Sequence, residues 1–324
     1  MANLIPLDTE RNDRGQILLL AAFALAVSFV VLALVVNSAI FTENLATRED
    51  VAGSHDALDH RYEVETNVGH IIERVNNDSE LDDGDLETTI EQMVEEGAGQ
   101  QASQGRLVSV SDINSVPGTK IAQDTVRNFT TADHTDPHWN VTNDEVENVR
   151  AFTINVTDPD TEVGSPFKLV ANDTGSDSEW NMSIDGNGDD IVITVNHPDD
   201  GERTCTREHD EYTVIDVTGA TVDGEPCLAL GQLQDEDGTE RWFGTGLGGE
   251  YRIEFERGYN IEGTYSFIID GGSGFDGDKL EDGQHPDLPY EEDAIYSVNL
   301  SYEFYTSAVG YETDIQVAPG EIPS

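Results

Sequence analysis

The segment ADHTDPHW (132–139) sets His134 and His138 four apart, with Asp133 and Asp136 among them. On a helix that spacing would turn both imidazoles to one face, where they could ligate a metal. Pro137 argues against a helix, so the segment reads as a polar loop carrying two histidines. The segments DGNGDD (185–190) and DGGSGFDGD (270–278) place aspartates at alternate positions among glycines, as calcium loops do. Neither has a glutamate at EF-hand spacing, although Glu281 follows the second. Asp270, Asp276 and Asp278 are the better cation candidates, but Asp-Gly turns are expected in so acidic a chain. FGTGLGGE holds G-x-G-x-x-G at Gly244, Gly246 and Gly249. A dinucleotide site needs that motif between a strand and a helix, so that helix N–H groups face the phosphates. YRIEFE follows here and alternates like a strand, so the glycines read as a tight turn. The chain has no G-x-S-x-G, H-E-x-x-H or G-K-[ST]. These motifs predict neither an enzyme nor a cofactor.

Two covalent modifications are better supported. Cys205 and Cys227 are the only cysteines, and EYTVIDVTGATVDGEP between them reads as a strand, a turn and a second strand start. A disulfide there would close a moderate loop and stabilise by about 3 kcal/mol; two free thiols are the alternative. N-x-S/T sequons occur at Asn77, Asn128, Asn140, Asn155, Asn172, Asn181 and Asn299. About three would arise by chance, and none precedes the apolar run described next. They point to a glycosylated outer surface, or to accidental sequons in a Thr-rich chain.

Residues 17–36 hold Ser28 as their only polar residue. As a helix they would extend about 30 Å, the thickness of a bilayer's hydrocarbon core. The run is too long for a secretory signal, and Asn37, Ser38 and Ala39 make a poor cleavage site. Arg11 and Arg14 precede it, whereas Arg48 follows among Glu43, Glu49 and Asp50. The positive-inside rule then predicts a single-pass protein of the cell membrane, N-terminus cytoplasmic and C-terminal domain extracellular, with membrane lipid as a partner.

The formal net charge is −50, from 66 acidic against 16 basic residues, and only Lys120, Lys168 and Lys279 are lysines. The acidic residues are spread along the whole chain, which reads as adaptation of the surface to concentrated salt. At molar salt the screening length falls to about 3 Å and self-repulsion fades. A nucleic-acid partner is excluded because the phosphate backbone would be repelled.

Beyond the run, Leu45, Ala52, His55, Leu58, Tyr62, Val68, Ile72 and Val75 recur every three or four residues, which predicts an amphipathic helix ending near NNDSELDDGD (76–85). A second helix is predicted from Leu86, with Ile90, Met93 and Val94 on one face, fraying through GAGQQASQG (97–105). From Arg106 the pattern alternates. RLVSVSDI, AFTINVT, FKLVAN, SEWNMSI, DIVITVN, EYTVIDV, EYRIEFE, TYSFIID, AIYSVNLSYEFY and YETDIQV read as strands separated by Asp-Gly turns. The predicted class is α+β: a long N-terminal transmembrane and amphipathic helix, then a mainly antiparallel, β-sandwich-like extracellular domain. The expected divisions are a cytoplasmic leader (1–15), a transmembrane helix (16–41), a helical stalk (42–104), an extracellular β-rich domain (105–318) and a tail (319–324).

The junction Arg14-Gly15-Gln16, followed by an unbroken apolar run, resembles the class III signal of archaeal type IV pilins. The first 50 residues also resemble an uncharacterised family of haloarchaeal single-span proteins that open with RGQ, an apolar helix and NSAIYTENLATR; this chain reads NSAIFTENLATR over 37–48. The resemblance implies a prepilin peptidase that cuts between Gly15 and Gln16, and other pilin-like subunits as partners. Many pilins carry a glutamate at the fifth mature position, where this chain has Leu20. That departure points to a minor or tip-like subunit, or to a pilin-like protein that never polymerises. The functions expected are therefore a pilin-like surface subunit of a halophilic archaeon, acting in assembly or adhesion, or a permanently anchored surface glycoprotein that binds a ligand or supports the envelope.

Overall fold

The computed structural model describes residues 10–77, 83–143, 146–159, 165–176, 178–199, 201–231, 242–247, 249–272, 274 and 276–322, except for the side chains of 10–17, 20, 38–54 and 83. The chain begins with α1 (Glu10–Asn77) and α2 (Asp83–Ser103). Strands then follow one another through β1 (Leu107–Asn128), β2 (Trp139–Asn140), β3 (Val149–Pro159), β4 (Phe167–Asp173), β5 (Glu179–Asn187), β6 (Asp190–His197) and β7 (Gly201–Glu208). They continue as β8 (Thr213–Asp216), β9 (Thr221–Val222), β10 (Glu225–Pro226) and β11 (Tyr251–Glu256). A short 3-10 turn (Gly258–Asn260) leads into β12 (Ile261–Asp270), and β13 (Glu281–Asp282), β14 (Tyr290–Tyr305) and β15 (Gly310–Val317) complete the order.

The strands form two sheets. The larger has the order β10-β9-β8-β3-β12-β1-β14-β13, with β15 also on β14; the smaller has the order β2-β11-β4-β5-β6-β7. Pairing is antiparallel except between β13 and β14. Alternation in the sequence becomes alternation in burial: in β6, Ile191, Ile193 and Val195 are buried, while Val192 and Thr194 are half-exposed.

The sheets pack over one core. Phe152 and Ile154 of β3 and Phe267 of β12 meet Leu169, Met182, Ile193 and Phe255 from the smaller sheet. Phe129 stands edge-on to Phe167 at 5.3 Å and to Tyr265 at 5.1 Å between ring centroids, a geometry that the ring quadrupoles favour. A second core lies beside it. There Ala57, Val64, Val68 and Ile72 of α1, with Leu86 and Ile90 of α2, cover Val298, Leu300, Tyr302 and Phe304 of β14 and Ile315 and Val317 of β15. β1 pairs with β14 from Leu107 to Ala122 and serves both cores: Val108, Val110 and Ile113 belong with the second, where β14 also packs, and Ile121 with the first.

This architecture corrects the α+β expectation. Fifteen strands against two helices make the described chain mostly β. No helix among the described residues is long and apolar enough to cross a membrane. The expected stripe also mixes two faces of α1. Leu58 and Tyr62 are 49 % and 72 % exposed, and it is Ala57 and Val64 that share a buried face with Val68 and Ile72. The GAGQQAS segment, expected to fray, is helical to Ser103.

Candidate assembly surface and modification sites

The first half of α1 carries the largest exposed apolar surface among the described residues. Phe23, Phe29, Leu32 and Leu34 are between 57 % and 69 % exposed, and residues 21–37 are exposed all around the helix. Ser28, the only hydroxyl in the run, returns its Oγ–H to the Ala24 carbonyl at 2.9 Å, so it needs no outside partner. Arg14, Gly15 and Gln16 lie in the α1 backbone just before this surface, and their side chains are outside the described residues.

The other half of α1 is fixed to the sheets by polar contacts around its apolar stripe. Arg106 meets Asp56 at 2.6 Å. Arg61 meets Glu65 at 2.7 Å and donates to the Tyr311 hydroxyl at 3.4 Å, and these two bonds raise its pKa. Nδ1 of His60 lies 3.0 Å from the Tyr302 hydroxyl, and burial pushes the imidazole below its ordinary pKa. At the far end Lys120 meets Glu292 at 2.9 Å and donates to the Asn76 carbonyl at 3.3 Å. The part of α1 from Asp56 to Asn76 is therefore docked along one sheet.

Arg150, only 1 % exposed, lies on the same face of that sheet, in register with Ile268 and Lys120. It donates to the carbonyls of Pro319 at 2.8 Å and Ile295 at 2.6 Å, and its guanidinium lies 5.8 Å from the centre of the Tyr296 ring. Burial pushes its pKa down to about 10. The Tyr296 hydroxyl donates to Glu321 at 2.8 Å, so residues 319–322 of the expected tail are held down.

Cys205 and Cys227 form a disulfide with 6.0 Å between Cα atoms. Cys205 lies on β7, the edge of the smaller sheet, and Cys227 immediately follows β10, the edge of the larger. The bond thus ties the two sheets along one side.

The sequons are unequal. Asn77 and Asn299 are exposed. Asn128 is half-buried, and its Nδ2 donates to the carbonyls of Tyr259 and Ile261, both at 3.0 Å. Asn181 is 9 % exposed and donates to Glu179 at 2.7 Å; Asn172 is half-buried and donates to Glu254 at 3.2 Å. Asn140 and Asn155 are half-buried on β2 and β3.

The candidate cation loops have local tasks. Asp270 accepts from the main-chain N–H groups of Glu147 and Asn148 and from the Asn148 side chain, capping that turn. Asp276 lies 3.6 Å from Lys279 and accepts from the Asp278 N–H. Nδ1 of His134 lies 2.9 Å from Arg127, and Nδ1 of His138 accepts from the Arg257 N–H. Among the described residues no three His, Cys, Asp or Glu side chains converge as a metal would require. Gly244, Gly246 and Gly249 all have positive φ in a turn that runs into β11, and Thr245 Oγ1 accepts from the Trp242 N–H at 2.9 Å.

Over residues 11–161 the chain is similar to a family of unknown function (DUF7261), a stretch that takes in both helices and ends just past β3. No curated protein matches the chain, and no solved structure matches it either.

Proposed function

We propose that this protein is a pilin-like cell-surface subunit of a halophilic archaeon, a minor filament component or an assembly or adhesion factor. One observation carries the reading: residues 21–37 expose apolar side chains all around a helix whose other half is fixed to the sheets. A helix that is hydrophobic all round requires an apolar surrounding. In this reading the surrounding is lipid before assembly and the same segment of neighbouring subunits afterwards. Ala21, Ala22, Ala24, Ala26 and Ala33 allow close helix approach. The N-terminus faces the cytoplasm, the sheets lie outside the cell membrane, and a prepilin peptidase cuts between Gly15 and Gln16.

Leu20 favours a second reading, a permanently anchored surface glycoprotein that forms no filament. Without a carboxylate at that position, a neighbouring subunit's new amino terminus has no acidic partner there. Mass spectrometry of protein isolated from its host separates the two. The pilin-like reading expects a mature chain beginning at Gln16. A chain beginning at Met1 or Ala2 overturns processing and leaves the anchored glycoprotein.

A further inference from the structure

A concavity of about 170 Å³ lies where α1, α2 and the start of β1 meet. It arises from the sequence of α2. Leu86 and Ile90 fill the space against α1, but the same face continues as Met93, Val94 and then Gly97 and Ala98. The side chains shrink along this face, and a Cβ at Gly97 would touch nothing within 4 Å. Val64, Met93 and Val108 form apolar walls, and the exposed carboxylate of Glu63 stands at the mouth. His60, Asn67 and Gln101 add polar atoms to the lining, with Nδ1 of His60 3.0 Å from the Tyr302 hydroxyl, and no lysine or arginine lines the hollow. Arg106, close by, is engaged by Asp56 at 2.6 Å and by Gln101 at 3.5 Å.

The size and charge together select a ligand class. A cavity of about 150 Å³ lined by apolar side chains holds a benzene molecule. The carboxylate of Glu63 at the mouth favours a cation over an anion at contact distance, where salt screens least. We propose that this hollow binds a primary ammonium ion with a compact apolar body of about six to eight carbons, the ammonium on Glu63 and the body among Val64, Met93 and Val108. A neutral molecule of the same shape gains the apolar contacts but not the charge-assisted hydrogen bond.

The chain contains three methionines, Met1, Met93 and Met182. Met93 faces the hollow, whereas Met182 is fully buried between the sheets and serves as an internal reference. The full chain, labelled at the methionine methyl carbons and kept in mild detergent at one salt concentration, is titrated with benzylammonium and with benzyl alcohol. The Met93 signal shifts saturably with the amine while Met182 stays fixed, and the alcohol requires about ten-fold more for half-saturation. Glu63→Gln brings the amine to the level of the alcohol. Ala98→Leu fills the hollow and abolishes both responses with the Met182 signal unchanged. The proposal is overturned if Met93 shows no saturable shift, if the alcohol binds as tightly as the amine, or if Glu63→Gln leaves the preference intact.

Discussion

The side-chain amide of Asn76 exchanges two hydrogen bonds with the main chain of Ile295. Its Nδ2 donates to the Ile295 carbonyl at 2.9 Å, and its Oδ1 accepts from the Ile295 N–H at 2.8 Å. The same carbonyl accepts from Arg150. The sheet makes this position necessary. The partner of Ile295 across the ladder is Pro117, and the register skips Tyr296 between Pro117 and Val116. Proline has no N–H to offer, so donors must come from elsewhere. The end of α1 and a buried arginine supply them.

Asn76→Ala strands the N–H of Ile295 in a half-buried place, and the expected cost is about 2 kcal/mol. Equilibrium urea unfolding measures it. Asn77→Ala, one position on and exposed, serves as the control and should leave the midpoint unchanged.

Removing the disulfide with Cys205→Ala and Cys227→Ala should lower stability by about 3 kcal/mol, the loop-closure value for a cross-link of this span. The loss falls on the side where β7 and β10 meet. Hydrogen exchange should therefore quicken in β7 before it does in β4 or β5, and uniform quickening would contradict the placement.

Glu291 gives a pH dependence of definite sign. Burial, followed by the negative charges of Asp282 and Asp293, pushes its pKa up to about 7, and one carboxylate oxygen is buried without a hydrogen-bond partner. In the unfolded chain the group titrates near 4.5. Between those values the folded protein holds a proton that the unfolded chain has released. The contribution of Glu291 is therefore most favourable below the unfolded value and declines as pH rises toward 7. Glu291→Gln should raise the thermal midpoint relative to the parent at pH 8 and leave it nearly equal at pH 4.5.

Glycosylation should follow the accessibility of the amide nitrogen. Asn77 and Asn299 are free to carry a glycan, whereas a glycan on Asn128 would break its bonds to Tyr259 and Ile261. Glycopeptide mapping of protein from its host should find the first two occupied and Asn128 and Asn181 bare. Occupancy at Asn181 would mean that β5 is modified before it pairs.

The strands easiest to read in the sequence are those whose alternating faces differ in polarity. Each of the ten segments named from the sequence contains a strand, though EYTVIDV is one only over Thr213–Asp216, because one face of each meets a core. GERTCTRE, which forms β7, shows no apolar alternation: one face is Glu and Thr throughout, and the other sets Cys205 between Arg203 and Arg207, as suits a sheet edge. The second half of β1 was hidden by VPGT, which reads as a break. In the fold Pro117 sits beside the skipped register, and Gly118 lets Tyr296 and the Ile269 carbonyl approach where a Cβ would collide. In α1, a periodicity of three and four cannot by itself distinguish the Leu58 face from the Val64 face, and the sheet decides between them. The hollow beside Met93 is illegible in the sequence because residues from α1, α2 and β1 meet there, and no local pattern encodes that meeting.

Because β1 runs through both cores, neither core can melt while the other keeps the whole of that strand. The helix-bearing layer and the paired sheets form one cooperative unit, and heat should dissolve them in a single transition with equal calorimetric and van't Hoff enthalpies. Any disturbance that loosens α1 is thereby felt along the β1–β14 ladder, about 50 Å long at roughly 3.4 Å per residue.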